Sequence, residues 1–344
     1  MRSHRVLLMV HKTLVPPKAV RGMSESEIDE FRTEHDVLHA LRGLGHEVRV
    51  LGVGDDLTEL REAIDAWRPH VVFNLLDEFQ GIISHDHYVV AYLELLRQRY
   101  TGCNPRGMML SRDKVLTKRV LATHGVATPA FEVFPFRRRF RAPTRLDFPL
   151  FVKSATEDAS LGISQASLVE DMRSLRERVQ FIHEEVESDA LVEEYVDGRE
   201  IYVGVLGNSR LVTLPPWELD FGRLPSAQAR IATQKVKWDR QYRAKHGIET
   251  GKAHDLTDGQ RARLRRLAQR TYRSLYMNGF ARMDFRLRSD GRIFLLEANP
   301  NPNLSKGEDL ADAAKAAGMS YAALVDRIVR LGLAYRPEWR LFAP

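Results

Sequence analysis

The strongest chemical signal in the chain is a set of four residues, Arg282, Asp284, Glu297 and Asn299. They lie in Arg282-Met283-Asp284-Phe285-Arg286-Leu287-Arg288-Ser289-Asp290-Gly291-Arg292-Ile293-Phe294-Leu295-Leu296-Glu297-Ala298-Asn299. Asp290-Gly291 between apolar-rich runs predicts a hairpin with a two-residue type I′ turn. That turn sets Ser289 opposite Arg292, and counting outward sets Asp284 opposite Glu297 and Arg282 opposite Asn299, all on one face. The other face, Phe285, Leu287, Phe294 and Leu296, is expected in the core. Opposed Cβ atoms lie about 5 Å apart, so the two carboxylates repel unless a cation sits between them. Asp, Glu and Asn offer only oxygen, a donor set that suits Mg²⁺ or Mn²⁺ rather than zinc. A solvent-facing acid pair neutralised by Arg282 stays open at this point.

These side chains need a scaffold. With 344 residues, 44% of them apolar and 28% charged, the chain has the length and composition of two to three folded domains, each with its own core. The first hundred residues alternate strand and helix patterns: strands over 5–10, 47–51 and 70–75, helices over 27–44 and 56–67. Such alternation predicts a mostly parallel sheet with helices on both faces. His11-Lys12-Thr13-Leu14-Val15-Pro16-Pro17 follows the first strand without phosphate-cradling glycines, so a nucleotide phosphate is not expected there. Further on, Ser111 is the expected N-cap of a helix running to residue 124, and a helix is expected near 167–185 after a strand at 150–153. Asp197-Gly198 reads as a hairpin turn between strands 190–196 and 200–206. A long helix over 256–278 and a closing helix over 308–331 complete the pattern.

Several classes fall away. Cys103 is the sole cysteine, which excludes internal disulfides and thiolate zinc sites, and it reads as a packed residue. The apolar run 6–10 is too short for a signal peptide, and no stretch approaches the roughly 18 apolar residues of a membrane span, so a cytoplasmic protein without a membrane partner is expected. The net charge of +6 is mild. The arginines at 137, 138, 139, 141 and 145, and those recurring over 261–273, lack interleaved aromatics and read as solvated surfaces, so nucleic acid is not an expected partner. His35 with His39 and His85 with His87 have no third ligand at matching spacing. Oligomeric state is left open, a homodimer included.

Phe148-Pro149-Leu150-Phe151-Val152-Lys153, the stretch from Val192 to Glu200, and Leu295-Leu296-Glu297-Ala298-Asn299-Pro300 together resemble the ATP-grasp superfamily, in its D-alanine-D-alanine ligase-like branch. The similarity extends to Val71-Val72-Phe73-Asn74-Leu75-Leu76, Tyr100-Thr101-Gly102, Asp113-Lys114, Thr117-Lys118 and Gly318-Met319-Ser320-Tyr321. It implies an α/β and α+β chain: a mostly parallel N-terminal domain over 1–106, then an ATP-grasp fold of two α+β subdomains over 107–188 and 189–344. By resemblance, Lys114 and Lys153 contact ATP phosphates, as does a loop ending in Ser160, Leu161 and Gly162. Glu193 and the backbone of Glu194, Tyr195 and Val196 read adenine, and Glu200 holds the ribose. The Asp197-Gly198 hairpin register would set Glu193 and Glu200 on one face. Lys237 is a further phosphate lysine. Two Mg²⁺ are held by Asp284, Glu297 and Asn299, and Arg282 stabilises the charge on an acylphosphate. The implied reaction joins a carboxylate to an amine while ATP becomes ADP and phosphate.

The chain departs from the family where D-alanine ligases hold their substrates. Pro16-Pro17 and the acidic stretch 24–34 replace a glycine-serine loop, Asp77-Glu78 replaces His-Gly, Asn303 stands at an oxyanion glycine, and Lys306-Gly307-Glu308 replaces acceptor-binding serines. Small-molecule substrates other than two D-alanines are expected, with Asn303, Lys306 and Glu308 as candidate contacts. If Lys306 points inward, the acceptor carries an acid; if Glu308 does, a cation. A true D-alanine-D-alanine ligase and a non-catalytic nucleotide-binding regulator stay open as alternatives.

Overall fold

The computed structural model describes residues 3–156, 163–225 and 230–338. Its first sheet is parallel, with Arg5–His11 between Glu47–Val53 and Val71–Asn74. The central strand is an unbroken apolar run because both its faces are covered. Val6, Leu8 and Val10 pack under the helices Arg32–Gly43 and Tyr321–Ala334, while Leu7 and Met9 meet Leu60 and Ile64 of Thr58–Trp67 and Val89 of Asp86–Leu95. The expected helix 27–44 is in fact two, Glu25–Asp29 and Arg32–Gly43.

A second, antiparallel sheet runs Phe131–Phe134, Ala190–Glu194, Leu150–Ser154, Leu168–Val169, with Met172–Glu185 packed on it through Leu175, Val179 and Ile182. A third runs Glu249–Lys252, Trp217–Asp220, Arg199–Leu206, Phe280–Leu287, Ile293–Pro300. Ala190–Glu194 therefore belongs to the second sheet, so the expected boundary after residue 188 falls one strand too early. The Asp197-Gly198 hairpin is likewise corrected: its flanking strands lie in different sheets. Gly198 has φ +149°, and a Cβ there would run into the Leu287 carbonyl, so this glycine serves a close crossing between sheets.

Caps account for other differences. Asp113, not Ser111, caps the helix Lys114–Thr123, accepting from the Leu116 N–H. Ser111 instead closes the preceding helix Pro105–Arg112, donating to the Gly107 carbonyl at 2.6 Å. The long helix spans Asp258–Ser274 behind a Thr257/Gln260 capping box. The closing helix is split into Asp309–Ala316 and Tyr321–Ala334, with Gly318 at φ +80° and Ser320 capping the second piece. That second piece rejoins the first sheet. Cys103 is fully buried, and burial pushes its thiol up to about 12. Among the described residues no helix is long and apolar enough to cross a membrane.

Candidate active site

The hairpin Phe280–Leu287/Ile293–Pro300 pairs Arg282 with Asn299 and Asp284 with Glu297, as expected, but by a different route. Near the turn Leu287 pairs with Ile293 and Phe285 with Leu295, so the loop holds three residues, Ser289 to Gly291, rather than two. A bulge between Asp284 and Phe285 restores the register beyond it. The core face consequently takes Ile293 and Leu295, and the expected core residues Phe294 and Leu296 are only half-buried. Leu296 lines a cleft instead.

On the neighbouring strand Glu200 lies opposite Arg286, Tyr202 opposite Asp284 and Gly204 opposite Arg282. Arg286 donates to Glu200 Oε2 at 2.7 Å, and the Tyr202 hydroxyl donates to Glu200 Oε1 at 2.8 Å. Across the cleft, on the second sheet, Glu193 sits between two ammonium groups, Lys118 at 2.7 Å and Lys153 at 2.8 Å. Burial pushes its carboxyl up, but the two cations outweigh burial and leave it below the usual value. Glu193 and Glu200 thus face each other from separate sheets and do not share one. The backbone N–H groups of Glu194 and Tyr195 donate to Ala130 and Pro149. Those of the expected residues that surround this cavity are Lys114, Lys153, Glu193, Glu194, Tyr195, Val196, Glu200, Lys237, Asp284 and Glu297. The apolar walls are Phe151, Ile163, Ile231 and Leu296. Ser160, Leu161 and Gly162 lie outside the described residues.

Lys237 and Glu297 also border a second, larger cleft that contains Arg282 and Asn299. Lys114, at the first turn of its helix, reaches Glu297 at 3.5 Å. Arg282 holds Asp284 with two bonds, 2.8 and 2.9 Å, contacts Asp309 at 3.3 Å and lies over the Tyr202 ring. Asn299 donates to Asp284 at 2.9 Å. Burial pushes the Asp284 carboxyl up to about 6 against the pull of Arg282, and the Glu297 charge adds to the rise. Among the described residues no three His, Cys, Asp or Glu side chains converge as a metal cage. Two acids and an amide provide an oxygen-only set, which fits a hard cation that keeps other oxygen ligands.

The substrate-side expectations divide. Lys306 points away from the cleft, pairing with Asp36 at 3.5 Å and covering Tyr321. Glu308 lines the cleft, where burial and then the Asp309 charge hold its carboxyl above the usual value. Asn303 also lines it, its Oδ1 accepting from Thr33 and from the Ser305 N–H. Lys118, Arg286 and Asp309 were missed. Arg286 was within reach of the sequence, being two residues past Asp284 on the same face of a strand.

A cleft between two α+β sheets, cationic on one wall and ending at an Arg/Asp/Glu/Asn cluster, defines an ATP-grasp ligase. The model for the D-alanine–D-alanine ligase C-terminus matches residues 120–330. A D-alanine–D-alanine ligase of Bordetella petrii is 36% identical over 251 residues, 72% of each chain, and an uncharacterised protein of Sinorhizobium fredii is 35% identical over 304 residues, 87% of this chain and 86% of that one. A crystal structure of D-alanine–D-alanine ligase from Bacillus anthracis complexed with ATP superimposes with TM-score 0.73 at 20% identity, over 96% of this chain and 98% of that one. The chain belongs to the D-alanine–D-alanine ligase-like family of ATP-grasp enzymes, carbon–nitrogen bond-forming ligases.

Proposed function

We propose that the enzyme uses ATP and Mg²⁺ to phosphorylate a substrate carboxylate, and that an amine then displaces phosphate from the acylphosphate to form an amide. The observation that carries this reading is the junction of the two clefts: Lys237 and Glu297 border both. A γ-phosphate entering from the smaller cavity would meet an acid lying in the larger one. The smaller cavity offers apolar walls for a base and the Glu200–Arg286 pair for a ribose. Lys114, Lys153 and Lys237 supply the positive charge that a triphosphate needs.

Asp284, Glu297 and Asn299 would hold the metal, whose charge, when bound, neutralises the phosphoryl group in flight. Arg282 is fixed by Asp284 and Asp309, so it enters the reaction already oriented toward the acyl oxygens. Carboxylate oxygen is a poor leaving group; phosphate is a good one, and that difference drives amide formation.

Glu308 supports an acceptor with a cationic group and opposes one with a carboxylate, which speaks against two D-alanines as substrates. The relatives' names favour D-alanine–D-alanine synthesis as the second reading. Screening pairs of amino acids and amines for ADP release, with mass detection of the amide, tests both. Amide formed from a pair that includes a basic partner is expected, with loss of turnover in EDTA. Rapid D-alanyl-D-alanine synthesis would restore the second reading, and turnover persisting in EDTA would remove the metal.

A further inference from the structure

Adjoining the larger cleft lies another cavity that the reaction proposed above leaves unused. The two share the wall Asp77, Arg112, Asn301, Pro302 and Asn303, so they are adjoining compartments. The inner one ends on Glu34, which is only 5% exposed. Glu34 sits in the first turn of the helix Arg32–Gly43, on a helix that packs against the first sheet. Among the described residues no Lys, Arg or His pairs with its carboxylate, which accepts only from its own backbone N–H. The charge that acts on it is another acid, Asp77, which adds to the rise caused by burial. Arg112, the cation on this wall, is already engaged: its Nε and Nη2 donate to buried Asp86 at 3.1 and 2.5 Å.

A carboxylate buried without a cation is costly, so such an acid takes up a proton unless something else supplies the opposite charge. Lys306 could have done so, but it is held outside by Asp36. We propose that this inner compartment is a subsite for a positively charged group of a substrate, an ammonium or guanidinium held by Glu34 with Asp77 at the mouth. One substrate is then a basic molecule longer than alanine, its cation in the inner compartment and its reacting group in the cleft. That this molecule is a ligase substrate rests on the activity proposed above; that the compartment takes an organic cation does not.

The test is thermal unfolding and calorimetric titration of the nucleotide-free protein at pH 8, where Glu34 is ionised. The probe is 1,4-diaminobutane, with 1,4-butanediol and MgCl₂ at matched ionic strength as controls. Saturable binding of the diamine alone is expected, weakened about tenfold or more in Glu34→Gln, which removes a buried charge and should keep the fold. Asp77→Asn, at an exposed position, should weaken it by a smaller factor. Equal binding of diol or Mg²⁺, no binding of the diamine, or an unchanged Kd in Glu34→Gln overturns the subsite. ADP release driven by basic substrates above their uncharged isosteres, and lost in Glu34→Gln, supports the substrate assignment. Diamine binding without any ADP release overturns the ligase reading alone, whereas turnover without diamine binding overturns the subsite alone.

Discussion

Around the smaller cavity the buried acids Glu193 and Glu200 are paired within the protein: Glu193 lies between Lys118 and Lys153, and Glu200 is held by Arg286. On the substrate side, Glu34 and Glu308 have no ion pair among the described residues, and both carboxyls are pushed up by burial. The first region is a finished network whose geometry exists before any ligand arrives. In the second, burial outweighs the charges nearby, and a cationic ligand would favour the ionised acids. On the reading proposed above, the nucleotide's pocket keeps its buried acids paired, while the substrate's pocket leaves acids for a ligand to charge.

The sharpest way to break this contrast is Glu193→Gln. It should cost about 3–5 kcal/mol, because Lys118 and Lys153 would remain buried with no acid between them. Urea denaturation measures it, and a loss below about 1 kcal/mol would mean that the network does not hold the two lysines.

Glu34 should behave in the opposite sense. Its carboxyl stands at about 7 in the folded chain against 4.5 ordinarily. The folded state therefore binds the extra proton in that window, and stability falls as pH rises through it, by about 3 kcal/mol in full. Glu34→Gln should flatten the slope between pH 5 and pH 8; an unchanged slope would assign it to another group.

At the junction, Arg282→Ala should lower kcat about 10²-fold or more with little change in ATP affinity, as for an interaction that strengthens in the transition state. Equal losses in both would make Arg282 a ground-state contact.

The smallest effect is expected at Lys306. Lys306 is itself exposed, and its backbone N–H would still donate to buried Asp36 after truncation, so Lys306→Ala should cost under about 1 kcal/mol and leave KM values within twofold. Glu308→Ala, by contrast, should raise the acceptor KM about tenfold. Similar kinetics in the two variants would erase the distinction between outward and inward charge.

The same contrast explains what the sequence made legible. Lys153, Glu193, Glu200, Asp284 and Glu297 sit on strands, where a period of two and neighbouring motifs show which side chains share a face. The Asp284–Glu297 register came out right because two one-residue errors cancelled: a three-residue loop shortened the ladder, and the bulge beside Asp284 restored it. A bulge leaves no composition signal, so Phe294 and Leu296 were misassigned to the core. The Asp197-Gly198 turn misled because the same dipeptide serves a tight hairpin and a crossing between sheets. Lys306 and Glu308 are two residues apart in a loop without periodicity, and only packing against Asp36 decides which one faces the cleft. Glu34 was legible as one acid in an acidic stretch; that it alone ends a cavity depends on residues 270 positions later, around Asn301 to Leu304.

The return of Tyr321–Ala334 to the first sheet bears on how the chain is made. Val6, Leu8 and Val10 are translated well before Tyr321–Ala334, one of the two helices that cover them. Until then a sticky parallel sheet has half its roof missing. The nascent chain must keep that surface from neighbouring chains throughout elongation, which makes the N-terminal unit the place where slow translation or crowding should first produce aggregates.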